Sequence, residues 1–544
     1  MKVPKTEGVL LSDLLKGIES GEYRIPRFQR NYVWNINKVV NLIDSLLKGF
    51  PIGSLILWET KTELSDIRNL GGIVIPSKNT GKYTSYVIDG QQRLTSLYCA
   101  LNGLKTETSP AVDCSKIVIS LVANSDEQIV FKELPKNANP DDFVLLKNLY
   151  DATALNGLHN NVRIAYYQKL ISYMVSSIKI DDEILGLQQV IDIFERINLG
   201  GKKLNLFSII SAGSYIPSTT ENEGFDLTTK YDNLIKGKLK AYGEIKDTTL
   251  LQIIAACLIR KCNKTSILKE LQNDEIDISK NYNKIEKAFL KAVDHLRGSN
   301  YGVKIKAILP YEALLVPFSY FYYKLGNNKT TEIQSSYLRD YFWRAVLTNS
   351  YVTATDSVLN SDLDKMDLIL DNKKPNYPAF SFSPNDVLKH DSSYTTSAFS
   401  KGMLCLMASN NPKSFVPDRE IVIGSDVVSE SYEKQLHHFF PKKSPAVLSN
   451  KDYGKKINHV LNIVFMDALT NVQIQDENPS KYVNEFNNLY SNFNQILQSH
   501  FIEIDGFGIN TDDFDLFLLS RSKTIYKALM KKIIVNDGDK IELI

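Results

Sequence analysis

The chain has 544 residues, against roughly 100 to 200 for a typical folding unit, so two to four units are expected, each with its own core. Its 64 Lys and Arg nearly balance 62 Asp and Glu, which excludes a global positive field; a surface for nucleic acid must be a local patch. Five scattered cysteines, Cys99, Cys114, Cys257, Cys262 and Cys405, form no CxxC pair, which excludes a disulfide framework and a four-cysteine zinc site and points to a reducing cytoplasm.

The N-terminus, MKVPKTEGVLLSDLLKGIE, has charges in every apolar run and lacks the apolar centre of a signal peptide. IPRFQRNYVW, Ile25 to Trp34, then interleaves Arg27 and Arg30 with Phe28, Tyr32 and Trp34. That mixture suits a surface that tracks a backbone and stacks a base, and equally suits packing of the aromatics on the next helix; Gln29 and Arg30 are its candidate functional residues. VVNLIDSLLKG predicts a helix with Val39, Val40, Ile43, Leu46 and Leu47 on one face, stopped at Gly49 and Pro51, and IGSLILW predicts a strand. SYVIDG predicts a second strand, running into QQRLTSLYCALNG, where Leu94, Leu97, Tyr98 and Leu101 recur at helical spacing. Asp89 and Gly90 therefore join a strand to a helix. IFERINLGGKKLNLFSII, Ile193 to Ile210, carries Arg196 and a tight turn at Asn198, Gly200 and Gly201 after a strand-like IDIF; Lys202 and Lys203 read as solvated charge.

From Ile216 to Phe399 long helical patterns such as LLQIIAACLIRKC and IEKAFLKAVDHL predict a bundle. The most apolar stretch, ILPYEALLVPFSYFYY, is too short to span a bilayer and contains Pro310, Glu312 and Pro317. DNKKPNYPAFSFSPNDV, Asp371 to Val387, reads as a linker. The terminal FLLSRSKTIYKALMKK predicts a basic amphipathic helix that packs by one face and leaves the other in solvent. The expected domains are 1–215, 216–399 and 400–544.

Two places carry chemistry. Unpaired N–H groups at a helix start, after a permissive glycine, make an anion site. There Arg93 has the fork to clamp a phosphate, Asp89 can bind a metal or position water, and Gln91 can orient that water, with Gly90 and Gln92 completing the turn. An Asp-Gly turn with a helix-capping role is the structural alternative. No GxxxxGK[ST] occurs, which excludes a conventional P-loop NTPase.

The second place is LHHFFPKK. His437 and His438 are two of only seven histidines and sit where a strand should reach a turn at Pro441. Neighbours on a regular strand face opposite sides, so both serve one site only where the strand ends. Further on, VLNIVFMDALTN is an apolar strand with Asn462 near its start and Asn471 beyond its end, near the start of a helix; His459 is a rival ligand or a strand-edge residue. A neutral imidazole accepts a proton from water near pH 7. The structural alternative has His437 capping a strand and His438 half buried.

The strand, loop, strand, helix order resembles the His-Me finger (HNH, ββα-metal) nucleases. The resemblance implies a divalent metal, Mg2+ first and Mn2+ or another ion next, bound by His437 and Asn471, with His438 as general base and Asn462 as a brace. Many relatives have Asp or Glu at the position of His437, so the preference shifts toward softer ions. DGQQR, IPRFQRNYVW and IFERINLGGKKLNLFSII together resemble the sensing and nucleotide-using half of the GmrSD-type modification-dependent restriction enzymes, itself similar to ParB-like folds. YLRDYFWRAVLTNSYVTA resembles a helical continuation of that family, and KGMLCLMASNNPKSF with the terminal helix resembles the flanks of its nuclease half.

What this implies is an α+β multidomain protein: a ParB-like α/β N-terminal domain, a helical middle and a C-terminal ββα-metal nuclease embedded in helices. Nucleotide contacts fall to Asp89, Gly90, Gln91, Gln92, Arg93, Arg196 and Asn198, DNA sensing to Gln29, Arg30, Tyr32 and Trp34, and catalysis to His438, His437, Asn462, Asp89 and Arg93. The expected activity is a cytoplasmic, modification-sensing DNA endonuclease used against phage or foreign DNA, regulated by GTP or another NTP, with modified double-stranded DNA as substrate, no membrane partner and a homo-oligomer compatible. Two alternatives stay open: a nuclease effector or toxin with a ligand sensor that does not hydrolyse, and a non-catalytic ParB-like DNA-binding protein.

Overall fold

A strand that is apolar throughout belongs in a sheet covered on both faces, because its successive side chains point to opposite sides. The centre of the N-terminal sheet is built this way. The computed structural model describes residues 4–542 except 27–28, 30–31, 62–63, 65, 68, 71–72, 75–82, 107–110, 125, 151–158, 182–188, 191–192, 194–195, 197–205, 217, 219–222, 272–275, 353–354, 390–396, 418, 420, 422 and 424–435. The chain divides into two compact units, Met1–Thr228 and Thr229–Ile544.

The strands of the first unit are β1 (Lys5–Leu10), β2 (Tyr23–Pro26), β3 (Leu55–Thr60), β4 (Asp66–Ile67), β5 (Asn69–Leu70), β6 (Ile73–Val74), β7 (Thr84–Asp89), β8 (Val118–Ser120), β9 (Val130–Phe131), β10 (Phe143–Leu145) and β11 (Met174–Asp181). One mixed sheet runs in the order β1-β11-β3-β7-β2-β4, and β10-β8-β9 form a smaller one. On one face of the large sheet Leu57 and Val87 join a core with Leu14, Ile43 and Leu97 from helices α1 (Leu11–Glu19), α2 (Ile36–Leu47) and α3 (Gln91–Leu101). On the other, Trp58, Tyr86 and Ile88 gather Ile180, Val190 and Ala212. Clamped from both sides, β7 delivers Asp89 to the point where α3 begins.

All five residues expected on the apolar face of α2 are buried, and Asn35 caps its start by accepting from the Lys38 amide. Gly49, at φ +75°, ends it. The strand-like reading of IDIF does not hold for its neighbourhood: Val190, Ile193 and Arg196 are helical. Val190 and Ile193 lie three apart and reach the same core, a spacing that a helix satisfies and a strand does not.

The second unit opens with helices, among them Asp247–Ile259, Ile278–Arg297, Leu315–Leu325, Glu332–Leu347 and Thr355–Leu370. Its strands are short: β12 (Ser381–Phe382), β13 (Leu436–His438), β14 (Ile463–Phe465) and β15 (Lys540–Ile541). The polar stretch read as a linker is fastened down. β12 pairs parallel with β15, and Phe382, buried, stacks on Tyr526 of the Phe514–Met530 helix at 5.7 Å between ring centroids. Two alternating phenylalanines, Phe380 and Phe382, bring apolar area that a free linker would not have. The boundary expected near residue 400 lies inside this unit. Among the described residues no helix is long and apolar enough to cross a membrane.

Candidate functional site

Each unit holds one constellation. In the first, Gly90 at φ +93° is the N-cap of α3, a left-handed conformation that favours glycine. Gln91 and Gln92 are buried. Arg93 reaches back one turn, donating from Nη2 to Asp89 Oδ2 at 3.0 Å and from Nη1 to the Ile52 carbonyl at 3.1 Å. The guanidinium passes between two glycine backbones: a Cβ at Gly53 would collide with its Nη1, and one at Gly90 would crowd Nη2.

The IPRFQRNYVW segment is stitched to this turn. Gln29 is buried and donates from Nε2 to the Val87 and Ile88 carbonyls, the latter at 3.1 Å. The Val33 amide donates to Gln92 Oε1 at 2.9 Å, and Tyr32 Oη lies 2.7 Å from Ser96 Oγ on α3. Tyr32 and Trp34 are half-buried and pack on the core. Two motifs some sixty positions apart, IPRFQRNYVW and DGQQR, thus form one structure at the end of β7. Arg196 is exposed. Arg27, Phe28, Arg30, Asn198, Gly200, Gly201, Lys202 and Lys203 lie outside the described residues.

The second constellation rests on a two-stranded ribbon. β13 pairs antiparallel with β14 in the register Leu436↔Phe465, His437↔Val464, His438↔Ile463. Ile463, Val464 and Phe465 are wholly buried, and Phe439, just past the histidines, stacks face to face on Phe517 at 4.8 Å. Aromatic packing thereby fixes the chain where the strand ends. The two histidines are half-buried. His438 Nε2 lies 3.1 Å from Asn458 Oδ1; with an acceptor opposite it, Nε2 holds the proton and the lone pair falls on Nδ1. Burial pushes this imidazole down to about 4, the Asn458 bond opposing and the nearby Lys442 and His437 assisting, so the ring is neutral at pH 7.

Asn462 is fully buried between the strands. Its Oδ1 accepts from the Phe440 amide at 2.8 Å, and Nδ2 donates to the carbonyls of Phe440 at 3.1 Å and Ile457 at 3.0 Å. His459, the rival ligand, has both ring nitrogens engaged: Nδ1 accepts from the Leu461 amide at 3.1 Å and Nε2 lies 3.0 Å from the Leu388 carbonyl oxygen. After β14 the chain turns into the helix Ala468–Ile474, where Asn471 is half-buried in the second turn.

Three residues were not singled out by sequence reasoning. Asp467 caps the Ala468–Ile474 helix, accepting from the Thr470 amide at 2.9 Å and from Ser414 Oγ at 2.7 Å, with Arg419 at 3.6 Å. Burial raises its carboxyl, but the Thr470 and Ser414 bonds and the Arg419 charge outweigh that and hold it below the usual range. The D-x-x-T spacing ahead of a helix was the available signal. Asn458 has no such signature. Arg521, on the helix read as packing by its apolar face, is wholly buried; it donates from Nη1 to the Leu461 and Ile463 carbonyls at 2.5 and 2.8 Å, and from Nη2 to the His500 carbonyl at 2.9 Å. Burial pushes this guanidinium down to about 9.

Residues 11–213 match the N-terminal domain of the GmrSD restriction endonucleases. The matched span includes the whole DGQQR turn and the residues Gln29, Tyr32, Val33 and Trp34 that pack beside it. Over nearly its full length the chain is also similar to an uncharacterised protein of Methanocaldococcus jannaschii, MJ0686, 27% identical over 608 aligned positions that cover 96% of this chain and 98% of that one. The GmrSD match is confined to residues 11–213 and ends well before the histidine pair. Among the described residues no three His, Cys, Asp or Glu side chains gather into a metal-binding group.

Proposed function

We propose that the chain is a modification-sensing, NTP-regulated, metal-dependent DNA endonuclease acting against phage or foreign DNA. The observation that carries this reading is the ribbon: two adjacent histidines end one strand, Asn462, in the turn just before the facing strand, ties down the loop after them, and a helix bearing Asn471 follows, in a chain whose residues 11–213 match the GmrSD N-terminal domain. This succession is similar to the strand, loop, strand, helix order expected of a ββα-metal nuclease.

In this reading His438 is the general base. Its ring is neutral at pH 7, the state in which an imidazole takes a proton from water, and Asn458 positions it. Asn462 acts through position, keeping Phe440 and the end of β13 in place. His437 and Asn471 would hold the divalent cation; one imidazole and one amide oxygen, without a carboxylate, are a sparse donor set that would bind weakly and lean toward Mn2+ or a softer ion over Mg2+. Such a cation, when bound, stabilises charge on the phosphoryl and leaving oxygens. Exposed Lys442 and Lys443 beside the histidines supply local positive charge for a phosphate backbone.

In the N-terminal domain, Asp89, Gly90, Gln91, Gln92 and Arg93, with Arg196 and Asn198, form the nucleotide site. DNA sensing falls to the Gln29–Trp34 segment, where Gln29 works by fixing the loop on β7 while Arg30, Tyr32 and Trp34 contact DNA. One observation favours a second reading of this half: Arg93 is already engaged by Asp89 and Ile52, as in a latch that senses a ligand without hydrolysing it. Incubating purified protein with plasmids of differing modification, Mg2+ or Mn2+ and each NTP tests both: nicking that depends on metal and nucleotide supports the first, nicking with nucleotide binding but no turnover the second.

A further inference from the structure

The second unit contains a cavity of about 500 Å³ that the nuclease reading does not use. It lies between the Glu332–Leu347 and Thr355–Leu370 helices and under the strap formed by Tyr377, Pro378, Ala379 and Phe380. Its volume is in the range that holds a small organic ligand. The floor is buried and the rim is open: Tyr341, Arg344, Ala345 and Asp362 are shielded, whereas Thr348, Ser357 and Ser361 are exposed.

The chemistry of the walls narrows the occupant. Three aromatic rings, Tyr341, Tyr377 and Phe380, line the cavity, and the Arg344 guanidinium carbon lies 5.0 Å from the centroids of Tyr377 and Phe380. Flat aromatic surface of this kind receives a flat ring. Polar groups remain to be satisfied. Arg344 Nη1 and Tyr377 Oη are buried without a hydrogen-bond partner, a state that native interiors rarely tolerate and that a ligand or water relieves. The other Arg344 nitrogens are held by Asp340 at 3.1 Å, Asp539 at 2.7 Å and the Ile534 carbonyl at 2.6 Å.

Charge decides against an anion. Three cations stand against three carboxylates: Asp340 and Asp539 pair with Arg344, Asp362 accepts from Lys365 Nζ at 2.6 Å, and Lys374 lies close enough to act on Asp340. Asp362 is further held by the hydroxyls of Tyr341, at 2.7 Å, and Tyr351. A phosphate would enter a site with no net positive charge, so the nucleotide attributed to the first unit does not belong here.

We propose that this cavity binds an uncharged, nucleobase-sized heteroaromatic ring, stacked on the aromatic lining, with its polar edge meeting Arg344 Nη1, Tyr377 Oη and the serine rim. The ring chemistry is shared by a free nucleoside and by a base swung out of a DNA strand. The proposal stands apart from the nuclease reading, and its failure leaves the ribbon untouched.

The test is ligand-observed NMR and calorimetry on the full chain, using the four ribonucleosides and their 5′-monophosphates in one arm and a DNA duplex with one unpaired base in the other. Saturable nucleoside binding, weakened at least tenfold by Tyr377→Phe and abolished by Ser361→Trp at the mouth, with an unchanged melting temperature in both variants, is the expected result. Binding of the unpaired-base duplex that is lost in Ser361→Trp, with no free-nucleoside binding, also supports the site and names DNA as the source. The proposal is overturned if neither probe binds up to about 10 mM, if Ser361→Trp binds as well as the parent, or if monophosphates bind more tightly than nucleosides.

Discussion

Asn462 holds Phe440 by both polar groups of its backbone, accepting from its amide at 2.8 Å and donating to its carbonyl at 3.1 Å. The two residues are 22 positions apart, and the clamp closes the loop that follows the histidine pair. Asn462→Ala leaves the Phe440 amide and carbonyl and the Ile457 carbonyl buried without these partners. We expect a loss of about 2–4 kcal/mol in unfolding free energy together with reduced DNA cleavage. Denaturant unfolding checks the first; a variant as stable as the parent contradicts the clamp.

Arg521 fixes the other side of the same ribbon, bonding the carbonyls that flank Asn462 in sequence. Removing a buried guanidinium strands its acceptors, and Arg521→Ala should lower stability by roughly 3–5 kcal/mol. Arg521→Met, which fills the volume, should lose less than Arg521→Ala. Equal losses in urea unfolding would show that the bonds, not the packing of the side chain, decide.

These two residues show what the sequence could and could not reveal. The β7–α3 junction was legible because its signals are local: an apolar strand, Gly90, then Leu94, Leu97, Tyr98 and Leu101 on one helical face, all four buried. The β13–β14 pairing was legible as two strand-like runs. Arg521 was read over because basic residues on an amphipathic helix usually face solvent. Yet it stands four residues after Phe517 and four before Ile525, in the buried row. The 371–387 stretch looked like a linker because its partner, the chain around Asp539, lies about 160 positions away, with the Phe380 amide bonded to Asp539 Oδ1; no local pattern reports that. The stitching of Gln29, Tyr32 and Val33 to DGQQR was also invisible, since two motifs can share a family without touching.

In the N-terminal domain, Arg93→Ala should weaken nucleotide binding at least tenfold, the effect of losing a hydrogen bond to a charged group. Gly53→Ala should act in the same direction, because a Cβ there collides with Arg93 Nη1 and because Gly53 has φ +85°. Fluorescent-nucleotide titration checks both. Unchanged affinity in Arg93→Ala removes the turn as the nucleotide site.

Stability should fall on mild acidification. His295 bonds Tyr301 and Tyr322 through its two ring nitrogens, each at 2.8 Å, and His500 Nε2 lies 2.8 Å from the Lys413 carbonyl oxygen. Burial pushes both imidazoles down to about 4. The unfolded chain therefore takes up protons first as pH drops below about 6.5. The contribution is complete above that pH and is lost progressively toward pH 4. We expect the second unit to lose on the order of 1–3 kcal/mol between pH 7 and 5, with a shallower slope in His295→Gln. A flat denaturant midpoint over that interval contradicts this.

The most direct measurement of the central claim is plasmid nicking by wild type and His438→Ala, prepared together and assayed with Mg2+ or Mn2+, with and without EDTA, across an NTP panel and modified and unmodified DNA. Wild type should nick in a metal-dependent way, and EDTA should stop it. His438→Ala should fall by about 10² to 10⁴ in rate while its melting temperature and nucleotide binding stay at the parent level. Asn471→Ala should require more metal for the same rate. Cleavage by His438→Ala at the wild-type rate, or wild-type cleavage undiminished in EDTA, contradicts the assignment.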